Sequence, residues 1–154
     1  MEAKPLFEQT PKVAITVPRP WTWLIANGTR RDWTIATDPG FLVGRTVALH
    51  AAATGDASGW RQLDRWAEGQ AERKAVAERC PHRAIVGVAI VAGVDCFGRS
   101  WRLRFSAAHE VAPIGPISAG DLELWAIPGR QREALHQAVV ELRRAAALAA
   151  GGES

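Results

Sequence analysis

Alternation opens the ordered part of the chain. Val13, Ile15 and Val17 are separated by Ala14 and Thr16, a period-two pattern that predicts a strand. Pro18 stops it, and Arg19-Pro20 starts a short helix, because proline's fixed φ suits a first helical turn. Trp21, Leu24 and Ile25 then recur at helical spacing and are expected to face the core. Asn27-Gly28 supplies the helix stop. After an Asp38-Pro39-Gly40 turn, Val47 and Leu49 alternate with Ala48 and His50, so Thr46 to Ala51 reads as a second strand.

The period then changes. Residues 54–59 read as a loop ending in an N-cap at Ser58. From Trp60 to Cys80 the chain reads as one polar helix with a thin stripe of Trp60, Leu63 and Ala67. Gly69 weakens that helix by up to about 1 kcal/mol relative to alanine. "AIVGVAIVAGV", residues 84–94, is a continuous apolar run and predicts a central strand buried on both faces. In residues 100–108, Trp101, Leu103 and Phe105 point one way while Arg102, Arg104 and Ser106 point the other. A Pro/Gly loop over 112–121 precedes a strand in which Leu122, Leu124 and Ala126 alternate with Glu123, Trp125 and Ile127. The last pattern is a C-terminal amphipathic helix with a core stripe of Leu135, Val139, Leu142, Ala146 and Ala149.

Residues 1–12 read as a flexible leader, 13–128 as the folded domain, 129–150 as a helix packed on it, and 151–154 as a disordered tail. Helices and strands do not alternate regularly, which argues against a doubly wound parallel sheet. The fold class expected is α+β: a small, mostly antiparallel β-barrel with flanking helices.

Composition narrows the partners. The 154 residues, 47% hydrophobic, suffice for one domain with one core. No apolar run approaches the roughly 18 residues of a membrane span, and the N-terminus lacks the apolar stretch of a signal peptide, so a cytoplasmic location is expected. A net charge of +3 permits an acidic partner without demanding one. The basic residues are mostly arginines, clustered at Arg19, Arg30 and Arg31, at Arg99, Arg102 and Arg104, and at Arg130, Arg132, Arg143 and Arg144. GC-rich codon usage gives that bias, and so does planar recognition of phosphates or bases. Cys80 and Cys96 form no CxxC, and Cys80-Pro81-His82 is at most half a metal site, so two reduced, buried thiols and no metal are expected. Walker, GxGxxG, HExxH and GxSxG patterns are absent, and no cofactor is expected.

Four blocks in order carry a resemblance: "ITVPRPWTWLIANGTRRDW", "GRTVALHAAA", "AIVGVAIVAGVDC" and "PIGPISAGDLELWAIP". Together they span roughly Val13 to Pro128 and resemble the ASCH domain of the PUA-like superfamily. The resemblance implies a PUA-like β-barrel with a cleft beside the helix at Trp21–Asn27, where family members bind RNA or nucleobases. It also implies an alternative, since some relatives resemble amidohydrolases acting on acetylated cytidine and others have been proposed as ribonucleases. Set on the family's GxKxxExR motif, "GTRRDWTI" places Gly28 at the glycine, Arg30 at the lysine, Trp33 at the acid and Ile35 at the second base. The cation is kept and the acid is lost. An arginine cannot serve as a base as a lysine of lowered pKa can, so the departure favours binding over hydrolysis.

The expected ligand residues are Arg30, Arg31 and Trp33, with Arg19, Trp23 and His50 in support. Trp21 and Trp23 point apart on a helix, so one of them is free to line the cleft. Arg102 and Arg104 matter only if their face borders it. For a hydrolase, the candidate acids and bases are Asp32, His50 and Glu110. The partner expected is RNA, single-stranded DNA or a nucleotide-like small molecule, with the chain a monomer or weak homodimer. A third reading is a protein-interaction module built on one of the long helices.

Overall fold

The computed structural model describes residues 9–67, 73–118 and 122–151. Most of the leader and of the terminal tail, together with Gly69, lie outside them. Six strands form one sheet in the order β2-β5-β4-β3-β1-β6. β1 (Val13–Arg19) runs parallel to β3 (Thr46–Gly55) and antiparallel to β6 (Leu124–Ala126). β4 (Ile85–Phe97) and β5 (Ser100–Ile114) make a long antiparallel hairpin, and β2 (Asp32–Ile35) pairs antiparallel with β5. The sheet curls into a half-barrel. Its two edges approach one another: the Glu123 carboxylate beside β6 accepts the Ala36 N–H just past β2 at 2.9 Å.

Both faces of the sheet are covered, so β4 reads as one continuous apolar run. Inside the curl, Ile15, Val17, Leu49, Val91 and Leu103 pack with Ile25 of α1 (Trp21–Ala26). On the outside, Leu135 and Val139 of α4 (Gly129–Gly151) pack on Ala48, Ile85, Val88 and Trp125. A third cluster joins Trp23 and Leu24 of α1 to Leu63 of α2 (Ala57–Ala67) and Val76 of α3 (Arg73–Arg79).

The expected elements need corrections: β1 runs through Pro18 to Arg19, and the strand expected from Leu122 covers only Leu124–Ala126. The polar segment between Trp60 and Cys80 contains two helices, on either side of residues 68–72. Its N-terminal cap is Asp56 rather than Ser58: the Asp56 carboxylate accepts the Ser58 N–H at 3.0 Å, an arrangement that satisfies an otherwise unpaired helix-end donor. The stripe of α4 is buried only through its first half, because the helix runs past the sheet, leaving Ala146, Leu148 and Ala149 exposed. Cys80 is buried as expected, but Cys96 is exposed near the tip of the β4–β5 hairpin. No helix among the described residues is long and apolar enough to cross a membrane.

Candidate nucleic-acid interface

The site begins where α1 ends. Gly28 has a φ of +84°, a conformation that costs glycine little and other residues more. The turn is closed by Arg30 N–H donating to the Leu24 carbonyl at 3.0 Å, while Thr29 N–H donates to Asn27 Oδ1 at 2.9 Å. This bend sends the chain from α1 straight into β2, an edge strand. Arg30 and Arg31 therefore sit at the junction of a helix end and a sheet edge.

A cleft of about 650 Å³ opens there. Trp21 and Leu24 of α1 form one wall, Arg102, Arg104 and Phe105 of β5 another, and Arg30, Arg31 and Asp32 the edge between them. Gln62 of α2 reaches in from the side. A smaller hollow of about 190 Å³ shares Arg30, Arg31 and Phe105 with it, so the two cavities adjoin across the arginine pair.

Arg30 is stacked against two indoles. Its guanidinium carbon lies 4.6 Å from the Trp21 ring centroid and 5.0 Å from that of Trp33, within cation–π range of both. The two indoles are 6.1 Å apart and tilted by 45°. Arg30 Nε–H donates to the Asp32 carbonyl at 3.0 Å, and the Asp32 carboxylate lies 3.3 Å away. Trp21 is itself fixed: its indole N–H donates to Asp56 Oδ2 at 2.7 Å, and this bond is the main reason the Asp56 carboxyl lies below its ordinary range. The helix cap of α2 thereby also positions the indole in the cleft.

The opposite wall has a different construction. Arg102 and Arg104 are two apart on β5 and so share a face. Both bind Asp95 Oδ2, Arg102 through Nη2 at 3.1 Å and Arg104 through Nε at 2.9 Å. Those bonds, Arg102's first, pull the Asp95 carboxyl below its usual range. Arg104 lies directly opposite Gly93 in the β4–β5 ladder, and a Cβ at Gly93 would overlap its guanidinium. Arg102 Nε is buried without a hydrogen-bond partner among the described residues.

The residues expected from the sequence divide accordingly. Arg30, Arg31 and Asp32 line the cleft. Trp33 does not form part of its wall; it stands behind Arg30, half-buried against the interior cluster. The two helix tryptophans differ in placement. Trp21 packs half-buried against two core clusters, as expected, and also lines the cleft, whereas Trp23 is 4% exposed and donates its indole N–H to Glu110 at 3.0 Å. Glu110 also lies 3.6 Å from Arg79 and is likewise outside the cleft wall. Arg19 is buried, bonded to the Cys80 carbonyl and 2.6 Å from His82 Nε2, so it ties β1 to the segment after α3. That contact also occupies the Cys80-Pro81-His82 stretch; among the described residues no three metal-ligating side chains converge.

His50 is buried between sheet and loop, away from the cleft. Its Nε2 lies 2.8 Å from the Ile117 carbonyl and its Nδ1 3.1 Å from Thr16 Oγ1, which in turn accepts the Trp125 indole N–H at 2.8 Å. The network assigns a neutral ring with the proton on Nε2. Burial is the main cause lowering its pKa below the ordinary histidine value, partly opposed by its backbone bonds. The unfolded chain therefore takes up this proton first. Stability is unaffected by His50 above about pH 6.5 and falls as pH drops below it, with a slope of at most about 1.4 kcal/mol per unit. Urea melts at pH 7.5 and 5.5 should show a larger acid loss in the natural protein than in His50→Gln.

Arg102 and Arg104 join the site because β2 pairs with β5, setting Asp32 opposite Arg104 and Thr34 opposite Arg102. The hydrophobic pattern does not predict β2 as a strand. The signal was present in "DWTI", where Asp32 and Thr34 alternate with Trp33 and Ile35, but four residues give a weak period.

No family model matches the chain, and no curated protein matches it in sequence. Solved structures do match in shape. The ASCH protein of Zymomonas mobilis aligns over 84% of this chain and 96% of its own, with a TM-score of 0.53 and 9% identity. A mutant of that protein aligns over 83% and 96%, again at 0.53, with 8% identity. The fold is ASCH-like. In this ASCH-like chain the cleft lies beside the end of α1, bordered by the stretch that carried the sequence resemblance.

Proposed function

We propose that the cleft binds single-stranded nucleic acid, RNA or single-stranded DNA, or a nucleotide cut from one. The observation that carries this reading is the make-up of the wall: Arg30, Arg31, Arg102 and Arg104 with Asp32 as the one carboxylate lining it, beside the half-buried Trp21 indole. Guanidinium groups fork onto phosphate oxygens and stack on bases, and an indole stacks on any base. A duplex does not offer its base faces, so stacking selects unpaired strands. The ASCH-like fold is consistent with an RNA-binding role. Hydrolysis is the weaker alternative, because Asp32 is engaged with Arg30 and an arginine stands where the family keeps a lysine.

The test is a fluorescence titration with short oligonucleotides across salt concentrations. Binding should weaken as salt rises, with a log–log slope of about −0.7 for each phosphate neutralised. Arg102→Gln/Arg104→Gln should flatten that slope by roughly one to one and a half. No binding at low salt, or unchanged binding in Arg30→Ala/Arg31→Ala, would refute the reading.

A further inference from the structure

The cleft holds more positive than negative charge. Arg30 is matched by Asp32, 3.3 Å away, so that pair is close to neutral and offers a stacking surface. Arg102 and Arg104 share one partner carboxylate, Asp95, and Arg31 lines the same cleft without an ion pair among the described residues. Three cations against one anion leave an excess of two positive charges. An internal phosphodiester carries a single negative charge, which one guanidinium satisfies. A terminal phosphate monoester carries about −1.5 to −2 at neutral pH and has three acceptor oxygens.

The wall is also built to hold its guanidiniums in place. Asp95 accepts from both arginines through one oxygen, and Gly93 leaves the space that Arg104 fills. Each arginine keeps further N–H donors beyond the one it gives to Asp95. Arg102 and Arg104 project from the same strand face, and both border the same cleft. Such fixed pairs suit a compact terminal phosphate group better than a moving polymer backbone.

We infer that Arg31, Arg102 and Arg104, braced by Asp95 and Gly93, form a pocket for the terminal phosphate of a strand or mononucleotide, with the adjoining base on the Trp21–Arg30 surface. This rests on the nucleic-acid reading above and adds to it the chemical class of the ligand's end.

The experiment compares three forms of one short RNA: 5′-phosphorylated, 3′-phosphorylated, and with hydroxyls at both ends. Affinities are read by anisotropy at fixed salt. One phosphorylated form should bind at least about fivefold tighter than the hydroxyl form, and which one it is gives the strand's polarity in the cleft. That ratio should fall towards one in Arg104→Gln and in Gly93→Ala, the second of which keeps every charge and only displaces Arg104. Circular dichroism melts show whether each variant is folded at the titration temperature. Equal binding of all three RNAs would overturn the terminal-phosphate pocket and leave the nucleic-acid reading standing. A preference that persists in both variants would overturn its placement on this wall. Failure of all three to bind would refute both readings together.

Discussion

Trp21→Ala will weaken the binding of a short single-stranded oligonucleotide by about tenfold to a hundredfold. Base–aromatic stacking contributes about 1–3 kcal/mol per base in single-strand binders, and Trp21 is the indole in the cleft wall. Two effects add to the lost stacking surface. Arg30 loses the ring 4.6 Å beneath its guanidinium, so it samples more rotamers before it can bind. Asp56 loses the indole N–H at 2.7 Å, which loosens the tie between α1 and the start of α2.

A graded series separates these contributions. Trp21→Phe keeps a flat ring but gives no N–H to Asp56, so it should recover much of the affinity and little of the bond. Asp56→Asn keeps the ring and alters its anchor, so it should cost less than Trp21→Ala. Titration by equilibrium dialysis avoids relying on the tryptophan signal that the substitutions change. If Trp21→Ala binds as tightly as the natural chain, the indole is a packing residue and the stacking account fails. Trp33→Ala should cost less affinity than Trp21→Ala, since Trp33 acts only through Arg30.

The different placements of Trp21 and Trp23 show which parts of the molecule the sequence could reveal. Period-two and helical spacing found β1, β3, β5 and α4, and a continuous apolar run found β4, because the burial of an element's faces leaves a local pattern. Helical spacing also showed that the two tryptophans diverge. It could not say which borders the cleft, because α1 is a six-residue helix covered on several sides, and five of its six residues are buried. Position in such a helix is decided by its neighbours: Gly59 and Pro20 close on the Trp21 indole, while α3 and β4 enclose Trp23. His50 was ambiguous for the same reason. A histidine inside an alternating strand looks alike whether its partner is a ligand or the Ile117 carbonyl 67 positions away. The pairing of β2 with β5 is likewise a long-range contact, and with it the arginines of β5 enter the cleft. Local chemistry was legible, and convergence between distant segments was not.

Gly87→Ala tests the seat on which the cleft depends, and it should lower stability by about 1–3 kcal/mol, the usual cost of overfilling a packed site. Gly87 lies near the start of β4, where the sequence offered a buried apolar run with no evident reason for a glycine. The reason is close approach. A Cβ there would stand 2.7 Å from the Ala26 Cβ and 2.9 Å from the His109 carbonyl oxygen. The helix end at Ala26 leads within two residues to the Gly28 turn and then to Arg30. Lifting α1 therefore moves Trp21 and Arg30 relative to the arginines of β5, and affinity should fall with stability. Ala26→Gly removes one of the two obstacles at the last residue of the helix, where glycine's helix penalty, about 1 kcal/mol in an interior, is reduced. The double variant Gly87→Ala/Ala26→Gly should recover part of the lost stability; the His109 carbonyl keeps recovery incomplete. Urea denaturation of the four proteins of this cycle gives the coupling directly, and contacting residues typically couple by about 0.5–3 kcal/mol. Additive costs would mean that α1 does not rest on Gly87, and the account of how the sheet positions the cleft would have to be abandoned.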